Sequence, residues 1–275
     1  MYSLHRISVS LLSIFLSLTA SGTNPYHLPA GAAEAGMGSV SVMKNGFWSS
    51  FRNQGLLAHS QAFSAGFNYT NRFNIGELGS RTAGMIIPAG RTSLGLIYSH
   101  FGFSHFRRET GALGCGLRLS ENFSAGIQID YFLEKASGEY DNFHAVTFEG
   151  GLLITPKENI KIGIHVFNPL PNSFRRTFLP SSIRAGAGIE LNKNLFTGVE
   201  AELSSERTLL IRMGFEYSAA EKIRFRGGFS SGNSSFTFGL GYQFRSIDLD
   251  MSFATHEKLG ITSSVSMIFK IRDII

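Results

Sequence analysis

The sequence predicts an all-β fold: a fourteen-stranded antiparallel up-and-down barrel that crosses a membrane, with a short N-terminal plug. Three observations predict it. From Gln61 onward apolar and polar residues alternate with period two, as in Phe236, Phe238, Leu240, Tyr242 and Phe244, and period two places successive side chains on opposite faces of a strand. Only 16% of the 275 residues are charged, while Gly (31) and Phe (25) are abundant; an ordinary soluble domain carries roughly 25% charge. A turn pattern also recurs.

The chain opens with His5 and Arg6, then an apolar run from Ile7 to Ala20 and small residues through Gly22. This reads as a signal peptide over 1–22, too short to span a bilayer as a helix. Residues 23–60 do not alternate. AGAAEAGM (30–37) and FWSSFRNQGLL (47–57) are short helix-capable stretches broken by Gly, and this segment is expected to be a plug or hatch, with Met37, Trp48, Phe51, Asn53 and Gln54 as its candidate residues. Trp48, the only Trp, is expected to pack rather than bind a ligand.

The barrel is expected over 61–275, with strands near 61–71, 80–88, 91–104, 107–119, 122–134, 143–155, 159–168, 180–192, 194–204, 207–218, 222–231, 233–244, 245–256 and 258–272. Each is close to the 9–11 residues that cross a bilayer at a tilt. The turn pattern supports this count. SENFSAG (120–126), KENIKIG (157–163), NKNLFTG (192–198) and AEKIRFRG (220–227) are variants of one polar turn that leads into an apolar residue and then Gly. All fall at one rim, whereas the longer connections 135–142 and 169–179 fall at the other. Short turns on one side and longer loops on the other is the outer-membrane arrangement.

One face of the strands, including Ile127, Ile162, Ile211, Met251 and Val265, carries no charge in this assignment, as lipid contact requires. The opposite face mixes acids and bases in nearly equal number with small residues. Arg184, Glu190, Glu200, Glu202, Arg212, Glu216, Arg224, Arg226, Asp248 and Asp250 form a candidate polar network in the lumen, where opposite charges on neighbouring strands can pair. Near-balance of charge argues against an ion-selective ring. In the third strand the apolar phase changes after Tyr98, which predicts a bulge or kink at Ser99, His100 and Phe101. The Pro-rich stretch 168–180 is a candidate extracellular loop, with Phe174, Arg175, Arg176 and Phe178 as contact residues.

Several function classes are disfavoured. No basic run suggests nucleic acid. Cys115 is the only cysteine and forms no internal disulfide. Neither a G-x-S-x-G nor an H-E-x-x-H pattern occurs, so no enzyme, cofactor or metal site is expected.

The stretches GAAEAGMGSVSV (31–42) and SFRNQGLLA (50–58) resemble the opening of the PorV/PorQ-type barrels of Bacteroidota, which are similar in architecture to the FadL transporters. Gln54-Gly55 replaces the usual Pro-Ala of that opening. The resemblance implies a monomeric barrel in the cell outer membrane, surrounded by lipid, that passes a hydrophobic small molecule. The alternative it implies is an accessory of type IX secretion or cell-surface assembly, with secretion-system proteins as partners and no transport.

Overall fold

The computed structural model describes residues 26–137, 142–170, 173–174, 177–205, 209–233 and 235–271. The signal peptide expected over 1–22 lies outside them, as do Arg175 and Arg176.

Fourteen strands form one closed antiparallel barrel: β1 Phe63–Asn71, β2 Gly79–Ala89, β3 Thr92–Phe103, β4 Phe106–Arg118, β5 Phe123–Ala136, β6 Phe143–Lys157, β7 Ile160–Phe167, β8 Ser182–Asn192, β9 Leu195–Ser204, β10 Leu209–Ala220, β11 Ile223–Ser230, β12 Ser235–Phe244, β13 Ile247–His256 and β14 Gly260–Ile271. Each pairs with its sequence neighbours, and β1 closes on β14 from Phe63↔Ile271 to Asn71↔Ser263. Closure satisfies every ladder without an open edge, which a hydrocarbon environment demands. A separate two-residue pair, Ser173–Phe174 with Thr177–Phe178, lies in the β7–β8 connection.

The period-two pattern sorts side chains as its chemistry requires. On β12, Phe236, Phe238, Leu240, Tyr242 and Phe244 point outward and are 44–62% exposed, while Ser235 and Thr237 are buried inside. The outer surface repeats this on β3, β5, β9 and β13 with Leu96, Ile129, Val199 and Met251. These side chains gain nothing from water and are at home against lipid tails. The outward face is not free of charge throughout. By strand alternation Arg81 on β2, Arg107 and Glu109 on β4 and Lys135 on β5 also lie on it, all near the ends of their strands at the loop rim. Charge there costs ~0–1 kcal/mol, against about 2–4 kcal/mol for Arg or Lys at the midplane.

The kink expected at Ser99, His100 and Phe101 is absent. β3 pairs with β2 from Ser80↔Phe101 to Ala89↔Thr92 and with β4 from Thr92↔Leu117 to Phe103↔Phe106, without a register shift. The apparent change of phase arises because Phe101 is an aromatic residue on the lumen side, not because the strand slips. Its ring packs 6.4 Å from Phe106 and lies under the Arg72 guanidinium at 5.3 Å. Ser99 bonds Thr82 across the ladder at 2.9 Å. Register shifts occur instead at Ile154/Lys157, Glu190/Asn192 and Ser218/Ala220, next to the short turns, where a bulge helps close a barrel rim.

Residues 26–60 fill the lumen. Tyr26 sits near the loop rim, edge-on to Phe132. The chain descends through a short helix, Ala32–Ala35, reaches the short-turn side at Lys44, whose ammonium bonds Glu216 at 2.8 Å, and continues through two 3₁₀ turns, Ser49–Phe51 and Gln54–His59, into β1.

Candidate functional site: the filled lumen

The wall accommodates the N-terminal segment by omitting side chains where the segment's backbone passes. A Cβ at Gly163 would overlap the Val42 carbonyl, one at Gly214 the Met37 carbonyl, one at Gly228 the Gly38 nitrogen, and one at Gly239 would meet Gly36. Gly116 and Gly126 make the same room for Gln54. Gly38 also needs its glycine for backbone reasons, since its φ is +68° and a Cβ would lie 2.7 Å from the Met213 carbonyl. The alternating glycines thus accept a backbone at close range. They do not simply leave space for long charged side chains.

All five sequence-predicted plug residues are buried: Met37, Trp48 and Phe51 at 1–2% exposure, Asn53 and Gln54 at 0%. Phe47 stands edge-on to Trp48 at 4.8 Å and to Phe51 at 5.6 Å, and the three pack with Leu57, Ile86 and Ile97 in one apolar cluster. Asn53 caps the second 3₁₀ turn, accepting from Gly55 N–H at 3.0 Å, and donates to the carbonyls of Val42 (2.5 Å) and Leu152 (2.9 Å). It therefore ties two parts of the segment to β6.

The lumen charges divide into clusters rather than one network. In the first, Glu200 accepts the Ser41 and Val42 N–H groups at 2.9 and 3.1 Å and Arg212 Nη1 at 3.3 Å, and Arg212 Nη2 donates to Glu202 at 2.7 Å. Arg184 lies 3.9 Å from Glu200. His27 Nδ1 lies 3.5 Å from Glu202, and its Nε2 is 3.0 Å from Ser182 Oγ. A second cluster places Arg226 between Glu216 and Asp250, both at 2.6 Å. Asp248 pairs with Lys270 at 2.5 Å, Glu190 with Lys161 at 2.9 Å, and Arg224 bonds the Gln243 amide at 3.1 Å. Removing one member of a buried pair costs about 3–5 kcal/mol because its partner keeps an uncompensated charge.

A further chain of contacts joins residues that the sequence alone does not connect. Gln128 donates to Asp130 at 2.9 Å and to Glu149; Glu149 accepts from His165 Nε2 at 2.7 Å; Arg184 donates to His165 Nδ1 at 2.9 Å and to the Arg52 carbonyl at 3.1 Å. Because Nδ1 accepts from a guanidinium, the proton of His165 sits on Nε2. The ladder carries this chain, since Gln128 opposes Glu149 and His165 opposes Arg184.

Arg52 is the segment's buried cation. It donates to Ser41 Oγ at 3.0 Å and to the Leu28 carbonyl at 2.8 Å. Burial, and then the nearby Arg184, pull its pKa down to about 10. Arg72, in the turn after β1, is likewise lowered by burial and by Arg108. Burial also holds His27 well below the usual imidazole range, outweighing the pull of Glu202.

Two spaces bear on function, one beside the segment and one on the outer wall. On the loop side, a cavity of about 230 Å³ is lined by Arg52, Arg72, Arg212, His27, His256 and a set of Ser and Thr residues. On the outer wall, a groove of about 700 Å³ runs over β8 to β12 between Val199, Met213, Phe215, Phe229, Phe236 and Phe238, with Gly214, Gly227 and Gly228 beneath. Met37 and Gly38 press on the other side of the sheet at Gly214 and Gly228. Phe174 and Phe178 fall on the two-residue pair in the β7–β8 connection. Among the described residues, no group of three or more His, Cys, Asp or Glu could hold a metal ion.

No known family model and no curated protein matches the sequence. Solved structures match the fold. The toluene transporter TodX of Pseudomonas putida superposes with a TM-score of 0.66 at 11% identity, over 90% of this chain and 99% of that one. A FadL homologue of Pseudomonas aeruginosa gives 0.62 at 13% identity, over 88% and 97%. The outer membrane protein Omp33 of Acinetobacter baumannii gives 0.51 at 10% identity, over 77% and 98%. At these identities the likeness is one of fold. The chain shares the closed fourteen-stranded barrel fold with the TodX and FadL-homologue structures.

Proposed function

We propose that the chain is a gated outer-membrane channel that passes a hydrophobic small molecule, with residues 26–60 as the gate. The observation that carries this reading is the shared architecture with the toluene transporter TodX over nearly the whole of both chains. The outer-wall groove supports it, because it offers an apolar resting place at the bilayer side of the sheet, opposite the segment that fills the lumen. The test is uptake of radiolabelled toluene and of a long-chain fatty acid by cells carrying the full chain, an empty vector or a 26–60 deletion. Faster uptake than the vector supports the reading. Uptake equal to the vector for both compounds overturns it.

A second reading is a sealed scaffold, an accessory of type IX secretion or surface assembly of the PorV/PorQ kind. The unbroken β3 ladder favours it, since no side exit opens at the position where the sequence suggests a kink. Here the 168–180 connection would be the docking element. A pull-down with secreted proteins that survives deletion of 170–178 rejects this connection as the docking element, and no capture by the full chain rejects the accessory reading.

A further inference from the structure

We propose that the loop-side cavity is a binding site for a small hydroxylated anion, of the chemical class of sugar acids and sugar or glycerol phosphates. This goes beyond the channel reading and does not depend on it.

The cavity's described lining holds three arginines and two histidines but no carboxylate. Arg212 is neutralised from below by Glu200 and Glu202. Arg52 and Arg72 are not: among the described residues neither has a carboxylate within ion-pair distance. Arg52 spends two of its donors on neutral oxygens. Arg72 rests on the Phe101 ring. Desolvated guanidinium groups without an anion are costly, and both are shifted in the direction that such a deficit produces. An anion entering this space would supply the missing charge, and a planar guanidinium fork suits a carboxylate or a phosphate.

The walls specify the rest of the ligand. The hydroxyls of Ser230, Ser235 and Ser252 face the same space and make no hydrogen bond to other described residues. Each offers one donor and two acceptor sites. An alkyl chain would leave them unpaired, at about 1–3 kcal/mol for each buried group, whereas ligand hydroxyls would satisfy them. The volume, about 230 Å³, corresponds to roughly eight waters at about 30 Å³ each. That suits a compact solute and excludes a long acyl chain.

The test is calorimetric titration of the detergent-solubilised full chain with gluconate and with glycerol 3-phosphate. Sorbitol supplies the hydroxyls without charge, and decanoate the charge without hydroxyls. Saturable binding of at least one hydroxylated anion is expected, with sorbitol and decanoate at least about tenfold weaker. Arg72→Gln should lower affinity about tenfold or more, as loss of a charge-assisted hydrogen bond does, while Arg72→Lys restores part of it. Arg245→Gln, at a short turn on the opposite rim, should bind as the parent does. Arg72 lies in a turn outside the ladder, and retained heat-modifiable migration on gels shows that the variants still form barrels. No binding of either anion, equal binding of sorbitol or decanoate, or an Arg72→Gln variant that binds unchanged overturns the proposal. Since binding to purified protein involves no uptake, this result and the transport result can fail independently.

Discussion

Glu200 Oε2 accepts the backbone N–H of Ser41 at 2.9 Å, which fixes a wall carboxylate of β9 onto the segment that fills the lumen. The same oxygen takes Val42 N–H at 3.1 Å, and the other oxygen faces Arg212 at 3.3 Å. Glu200→Ala removes all three interactions and leaves Arg212 half-compensated, a loss of about 3–5 kcal/mol by analogy with other buried pairs. The segment should release, and single-channel conductance in planar bilayers should rise above that of the parent. Glu190, paired with Lys161 at the exposed short-turn rim, provides the contrast: Glu190→Ala should change stability by no more than about 1 kcal/mol and leave conductance unaltered. Equal conductance for Glu200→Ala and the parent would show that this carboxylate does not retain the segment.

The glycines of the wall make a second, independent prediction. Gly214→Ala and Gly163→Ala place a methyl group where the segment's backbone runs, yet as strand substitutions they should favour the sheet, because Gly weakens strands. Barrel stability should therefore hold while the segment is displaced. Trp48 reports this directly, being the only Trp and 2% exposed. Its fluorescence should become accessible to iodide in both variants. Gly111→Ala, where an added Cβ meets nothing within 4 Å, should leave quenching unchanged.

Acid should loosen the segment through His27. Burial lowers the folded pKa of this imidazole well below its ordinary 6.5, despite Glu202 at 3.5 Å, because Arg184, Arg52 and His165 oppose a further positive charge. The released state binds the proton near pH 6.5 and the docked state does not. The stabilisation is thus present above about pH 6.5 and lost as pH falls below it. Iodide quenching of Trp48 should increase between pH 7.5 and pH 5, and His27→Gln should flatten that portion of the response. An unchanged pH profile in His27→Gln would assign the response to other groups.

The barrel was legible because lipid and lumen impose opposite demands on alternate residues, so Phe236 to Phe244 announce their face without any tertiary information. The turn at Glu121-Asn122 and its relatives fixed the count. The lumen was harder to read. Arg184, Glu200, Glu202 and Arg212 could be placed on one face, but which of them touch depends on register, and register follows from closure of the whole ring. The Gln128–Glu149–His165 chain has no signature as a unit in the sequence for that reason. Phe101 misled because an aromatic residue on the lumen side mimics a slipped phase. The contact of Gly163 with Val42 had no local signal at all, since a glycine that admits a distant backbone is indistinguishable in sequence from one that merely weakens a strand.

The lipid face itself can be tested by depth. Leu240 points outward near the middle of β12 at 47% exposure, and Phe244 points outward at its short-turn end at 48%. Near-equal exposure means that a soluble surface would tolerate arginine equally at both. A bilayer would not: an arginine at the midplane costs about 2–4 kcal/mol and near the interface about 0–1 kcal/mol. Leu240→Arg should therefore reduce folding into phospholipid vesicles far more than Phe244→Arg does, when both are compared by denaturant titration of vesicle-inserted protein. Arg245, already present one residue beyond Phe244, shows that the rim accepts the charge. If the two substitutions cost the same, the outward phenylalanines are not solvated by hydrocarbon.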